Sequence, residues 1–285
     1  MKFGHPFTPY PPLVVNCCPT GMVPTRQMSP HVPLAADEIV AEAVALARAG
    51  AAILHLHARD ETGAPTPSKE VYRRILCEVR QRVPEVILCV STSGRLWSDF
   101  ARRSEVLDLE GDARPDMASL TLGSMNFMRQ ASLNEPATIR DLARKMLDRG
   151  IKPEVEIFDL GMMDFAHRLV HEGLLPGVLY ANILLGNLGT APADLGCLSL
   201  IADRAPRPCV LSVAGLGAAS LPVHMVALAA GMHVRVGLED TLYMDFARSE
   251  PATNMGLLQR VLELARLLGR APATPAQARA MLGLA

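Results

Sequence analysis

"LAADEIVAEAVALARAG" at residues 34–50 runs directly into "AAILHLHARD" at residues 51–60, and that step sets the fold. In the first piece apolar residues recur at helical spacing, and the pattern stops at Gly50, a residue suited to the left-handed end of a helix. The second piece is short, apolar and bounded by charge, as a buried strand is. One helix followed by one buried strand is half of a parallel repeat, and the chain continues it. Eight apolar runs occur: "PLVVNC" from 12, "AAILHLH" from 51, "VILCVST" from 86, "MASLTLG" from 117, "PEVEIFD" from 153, "VLYANIL" from 178, "PCVLSVAG" from 208 and "HVRVGLE" from 233. They start about 25 to 40 residues apart, the room a helical crossover between parallel strands needs.

Eight such units close into an α/β (β/α)8 TIM barrel, and no linker divides residues 1–285 into more than a single domain. An open doubly wound sheet is the rival, but no run leads into a full dinucleotide-binding loop. "GLGAAS" at 215–220 carries only the first two glycines of that pattern. Near the end, Thr274, Pro275 and Gln277 spell a capped helix start.

Composition narrows the function. Hydrophobic residues make up 49% and charged residues 20%, with a formal net charge of -1. That balance gives no basic footprint, and with only 4% aromatics there is no stacking platform, so a nucleic-acid partner is excluded. No apolar stretch approaches the length of a membrane span, and the Pro-rich start lacks the apolar segment of a secretion signal, so no membrane role and a cytoplasmic location are expected. Six cysteines without C-x-x-C or zinc-ribbon spacing read as reduced, mostly buried thiols.

In a barrel, chemistry sits at the C-terminal ends of the strands. In the second run His55 and His57 share one strand face, while Leu54 and Leu56 share the other. In the eighth run Val234, Val236 and Leu238 have one parity, which leaves Arg235 and Glu239 facing inward and Asp240 at the rim. The second and eighth strands are separated by one strand around a closed barrel, so Glu239 completes a two-histidine, one-carboxylate site with an open position. That ligand set suits zinc, with Fe2+ or Mn2+ as alternatives. The competing view is a pair of hydrogen-bonded core histidines.

The fifth run points Glu154 and Glu156 into the barrel. Buried carboxylates need partners or a function. One is expected to pair with Arg235 or Lys152, and Glu156, nearer the rim, is the better functional candidate. Ser91 and Ser93 after the third run, and Ser119 and Thr121 on the fourth, offer hydroxyls able to hold a substrate carboxylate or simply to fill the barrel. His167 and His171 are spaced i, i+4 on a helix with no third ligand nearby and read as a solvated face. His5, His31, His224 and His233 carry no usable pattern. The lack of a G-x-S-x-G elbow, and of a Cys beside a catalytic His, disfavours acyl-enzyme chemistry.

"TGMVPT", "HLHARDETGAPT", "VSTSG", "PEVEIFDLGMM", "SVAGLG", "RVGLED" and "GRAPATPAQARAML", in that order across nearly the whole chain, resemble the β-keto acid cleavage enzymes, whose prototype cleaves 3-keto-5-aminohexanoate. The resemblance implies a zinc-dependent homotetrameric barrel that converts a β-keto acid and acetyl-CoA into acetoacetate and a new acyl-CoA. By motif, His55, His57 and Glu239 match its metal ligands, and Asp240 with Arg235 matches its acid-base dyad. Glu156, Ser91 and Ser119 match substrate-positioning residues. One position departs: where the prototype's first loop carries an acidic residue for the substrate ammonium, this chain has Val23, with Met22, Met125 and Met128 as a possible apolar wall. An aliphatic side chain does not compensate a desolvated ammonium, so the expected substituent is neutral and apolar. A metal-dependent aldolase or hydrolase on the same barrel, independent of acetyl-CoA, and a non-catalytic barrel with structural histidines are the alternatives.

Overall fold

A computed structural model describes residues 10–284. Eight parallel strands close a barrel: β1 (Val15–Cys17), β2 (Ile53–Leu56), β3 (Ile87–Val90), β4 (Met117–Thr121), β7 (Lys152–Ile157), β8 (Leu179–Leu185), β9 (Cys209–Gly215) and β10 (His233–Val236). Each of the eight apolar runs supplies one of them. Between β4 and β7, a short antiparallel hairpin, β5 (Met125–Asn126) with β6 (Ala131–Ser132), lies outside the barrel. The apolar alternation gives no sign of it, because each arm is two residues long.

The crossovers are helical, beginning with α1 (Ala36–Ala49) and α2 (Lys69–Arg82). α1 ends where the sequence predicts, on Gly50 at φ 118°, whose N–H donates to the Ala47 carbonyl. The short α3 (Phe100–Ser104) is followed by α4 (Pro136–Asp148), α5 (Leu160–His171), α6 (Leu195–Asp203), α7 (Ser220–Ala229) and α8 (Asn254–Leu267). α9 (Pro275–Leu282) opens with the expected reciprocal cap, Thr274 accepting from the Gln277 N–H and Gln277 from the Thr274 N–H. None of the helices among the described residues is long and apolar enough to cross a membrane.

Strand parity divides the interior in two. Leu54, Leu56, Val155, Val234 and Val236 point outward into a continuous core beneath the helices. Burying each such side chain is worth about 1.5–3 kcal/mol, so this outer core stabilises the fold and leaves the barrel lumen free to be polar. At the N-terminal end the lumen is apolar, filled by Val14, Ile53, Ile87 and Met117, and Ala278 and Leu282 of α9 close it from below. Above that layer come Asn16, Glu154 and Asn182, all fully buried, and the polar character continues to the C-terminal mouth.

Candidate active site

β2 places His55 in the lumen, and His57 follows one residue past the strand end. The strand parity that pointed Glu239 inward is not how it gets there. β10 stops at Val236, and residues 237–240 form a turn in which the Glu239 N–H donates to the Cys18 carbonyl (3.2 Å) and the Asp240 N–H to the Gly237 carbonyl (3.1 Å). Gly237 is required here, because a Cβ would lie 2.1 Å from the Cys18 carbonyl oxygen. The close approach of these two backbones swings Glu239 over the histidines.

His57 Nε2 is 3.2 Å from both His55 Nε2 and Glu239 Oε1, and His55 Nε2 is 3.8 Å from Glu239 Oε2. Three donors around an ion with 2.0–2.1 Å bonds in tetrahedral geometry would lie about 3.3 Å apart, so the spacing fits a metal such as zinc. Glu239 Oε2 is buried and makes no hydrogen bond. Two Nε2 atoms this close share at most one proton, so at least one lone pair is directed into the site. Two imidazole nitrogens and a carboxylate form a donor set that a divalent cation satisfies.

Beside the three ligand candidates lies a buried charge cluster around Arg235, which is 1% exposed. Its Nε and Nη2 donate to Asp240 Oδ2 (3.1 Å) and Oδ1 (3.3 Å), Nη2 also meets Glu239 Oε1 (2.9 Å), and Nη1 donates to Glu156 Oε1 (3.2 Å). The Cys18 thiol adds a donor to Asp240 Oδ2 at 3.1 Å. Burial would raise the Glu239 carboxyl, yet Arg235, His57 and His55 hold it well below the usual carboxylate range. Burial does win at Glu156, whose carboxyl is raised despite Arg235. His57 is likewise pushed down by burial, against the pull of Glu239.

The fifth-run carboxylates divide differently from expectation. Glu156 takes Arg235, but Glu154 pairs with neither Arg235 nor Lys152, since Lys152 Nζ donates to the Val178 carbonyl and Glu154 sits 2.5 Å from His55 Nδ1. The hydroxyls divide as well. Thr121 donates to Glu156 Oε2 (2.6 Å) and Ser119 accepts from the Thr92 N–H (3.1 Å), so both have protein partners. Ser91 and Ser93 line a cleft with His57, Met22 and Trp97, although each also accepts one backbone N–H. Of the expected apolar wall, Met22 lines that cleft and Met125 is buried, whereas Met128 is 79% exposed and forms no wall. Val23 is exposed on the same loop as Met22.

Arg59, unassigned in the sequence reading, staples this loop by donating to the Gly21 and Pro24 carbonyls (2.5 and 3.1 Å). Gly21, at φ 68°, lies against Glu239, whose Cγ would be 2.5 Å from an added Cβ. Only the charge in "HLHARD" hinted at Arg59. His167 contacts the Arg204 carbonyl from α5, apart from the cluster. His224 and His233 are buried structural residues, and His5 lies outside the described residues. All six cysteines are free; Cys17, Cys18 and Cys89 are buried, while Cys77, Cys197 and Cys209 are half-buried.

A family model described as beta-keto acid cleavage enzyme matches residues 12–284. The 3-keto-5-aminohexanoate cleavage enzyme of Fusobacterium nucleatum is 35% identical over 277 residues, covering 95% of this chain and 98% of its own. The 3-oxoadipate:acetyl-CoA acetyltransferase of Cupriavidus necator is 34% identical over 276 residues, covering 96% of this chain and 95% of its own. Among solved structures, apo ObcA superposes with a TM-score of 0.77 at 24% identity, over 90% of this chain and 66% of that one, a likeness of fold.

Proposed function

The chain belongs to the beta-keto acid cleavage enzyme family, and from that premise we propose that it exchanges a β-keto acid with acetyl-CoA, giving acetoacetate and a new acyl-CoA. The observation that carries the reading is the convergence of His55, His57 and Glu239 beside an Asp240 aligned by Arg235. In this reading those three residues hold one divalent metal, zinc in preference to Fe2+ or Mn2+. When bound, the cation polarises the substrate ketone and so acidifies its α-carbon.

Asp240 then serves as the base that takes the C2 proton. Two hydrogen bonds from Arg235 fix the orientation of its carboxylate. The C2 carbon attacks the acetyl carbonyl of acetyl-CoA, and CoA thiolate departs. The thiolate returns to the original ketone carbon, the C2–C3 bond breaks, and acetoacetate leaves with the acyl group on CoA. Asp240 returns its proton to C2 as that bond breaks, so every atom is accounted for without water. In this reading Ser91 and Ser93 position the substrate carboxylate, supported by their lining the cleft beside His57. Ser119 and Thr121 act through Thr92 and Glu156. Glu156, held by Thr121 and Arg235, sets the guanidinium that orients Asp240.

We further read the substrate as a β-keto acid with a neutral, apolar substituent. Val23 supplies no charge to balance an ammonium, and Met22 adds an apolar side chain to the cleft. The whole chain, residues 1–285, works in this account as one domain of a cytoplasmic homotetramer.

The test is a panel of β-keto acids incubated with zinc-loaded protein, with and without acetyl-CoA, with acetoacetate measured. Acetoacetate formation that needs the thioester, with 3-oxohexanoate preferred to 3-keto-5-aminohexanoate, supports the reading. Cleavage that proceeds equally without acetyl-CoA overturns it in favour of a hydrolase or aldolase.

A further inference from the structure

One layer below the three ligand candidates, a carboxylate plays no part in the chemistry proposed above. Glu154 on β7 is fully buried and receives His55 Nδ1 at 2.5 Å, Asn16 Nδ2 at 2.5 Å, Asn182 Nδ2 at 2.7 Å and the Cys89 thiol at 3.2 Å. Donors come from strands β1, β2, β3 and β8, so half of the barrel converges on one side chain. Both asparagines turn their amide NH2 toward it and leave their own carbonyl oxygens buried without a hydrogen-bond partner. A buried acceptor left unsatisfied is unfavourable, and two of them are tolerated where the matching NH2 groups stabilise a full negative charge.

With two amide NH2 groups and a thiol already aimed at it, Glu154 serves as an acceptor, so the hydrogen bond with His55 is donated by Nδ1. In a neutral imidazole that assignment leaves the lone pair on Nε2, the atom facing His57 and Glu239. We propose that Glu154 is a positioning residue of the metal site, which fixes the His55 ring and its Nδ1–H tautomer so that Nε2 is presented to the metal.

The inference rests on the reading of His55 as a ligand. It also separates two candidate sites, because His55, Cys89 and Glu154 form a second group close enough to hold an ion. Glu154 in that group is already saturated by donors, and the Cys89 thiol is one of them, its S–H spent on Glu154 Oε2 at 3.2 Å. The upper group keeps an unpartnered carboxylate oxygen, and the lower one has none.

Glu154→Gln is the conservative test. Its amide oxygen still accepts from Nδ1, and a flip of Asn16 or Asn182 lets an orphaned carbonyl receive the new NH2, so the barrel has a way to remain satisfied. Zinc affinity measured by chelator competition is expected to weaken 10- to 100-fold, the usual effect of losing an anionic partner behind a ligating histidine. The d–d spectrum of the cobalt-substituted protein is expected to shift, and Cys89→Ala is expected to keep one metal per chain. Unchanged affinity and spectrum in Glu154→Gln would overturn the positioning role while leaving the metal site standing. Loss of metal in Cys89→Ala with the lower group intact otherwise would also overturn it, by moving the ion. A wild-type protein that takes up no metal would sink the ligand reading itself. Should Glu154→Gln fail to fold, 15N spectra of the histidine side chains in wild-type zinc-loaded protein decide: Nδ1–H on His55 supports the proposal and Nε2–H refutes it.

Discussion

Replacing Arg235 with glutamine tests how the site is held together. The guanidinium is the only cation in contact with Asp240, Glu239 and Glu156 among the described residues, apart from the histidines, and it is 1% exposed. Removing one partner of a buried ion pair costs about 3–5 kcal/mol, because the remaining charge is left uncompensated. At roughly 2.1 cal/mol/K per residue, the unfolding entropy of 285 residues is about 0.6 kcal/mol/K, so the loss corresponds to a Tm lower by about 5–8 °C. The pH dependence distinguishes charge from packing. In Arg235→Gln the cation that opposes burial at Glu239 and Glu156 is gone, so both carboxyls move up from where Arg235 holds them. A raised carboxyl penalises the fold where it must be ionised and is relieved as it takes a proton, so the deficit is largest near pH 8 and shrinks toward pH 5. Differential scanning fluorimetry of both proteins in chelator across that range gives the comparison. A deficit below about 1 kcal/mol, or one that does not change with pH, would show that Arg235 is packing filler and refute the electrostatic account.

Asp240→Asn is expected to abolish turnover while one metal per chain is retained, and Glu239→Gln to lose the metal as well; metal analysis alongside activity checks both, and the opposite pattern exchanges their roles. Gly21→Ala places a methyl 2.5 Å from Glu239 Cγ at a φ of 68°, and it should weaken metal binding at least tenfold by displacing that carboxylate, with unchanged affinity counting against the contact. Burial and Arg270 lower His233 to about 3, and burial lowers His224 to about 4, while the unfolded chain protonates both near 6.5. Between those limits the unfolded state binds more protons, so stability present above pH 6.5 is lost as pH falls. Urea midpoints from pH 6.5 to 5 should therefore drop, and His233→Gln should remove about 1.1 kcal/mol per pH unit of that slope, approaching about 1.4 at its acid end.

The barrel was readable because period-two alternation in runs such as "HVRVGLE" fixes which side chains face the helices, and eight such runs at crossover spacing leave little choice of architecture. His55 and His57 were readable for the same reason. Glu239 was assigned to the site by extrapolating strand parity, and it reaches the site through a turn forced by the contact of Gly237 with Cys18, a long-range contact with no local signature. Glu154 illustrates a similar limit. Parity placed it inside the barrel, but its partner depended on depth, and depth follows from strand stagger, which a single sequence does not reveal. The roles of Arg59 and the β5–β6 hairpin are not legible in the sequence, because one acts through backbone carbonyls and the other has two-residue arms, where side-chain pattern carries no information.

The central claim is that carbon atoms are exchanged between a keto acid and a thioester, with no water entering. Acetyl-CoA carrying 13C at both acetyl carbons, supplied with unlabelled 3-oxohexanoate and zinc-loaded protein, reports this directly by NMR of the products. The account predicts label at C3 and C4 of acetoacetate and an unlabelled acyl-CoA. Unlabelled acetate and butyrate formed while the labelled acetyl-CoA remains untouched would contradict it.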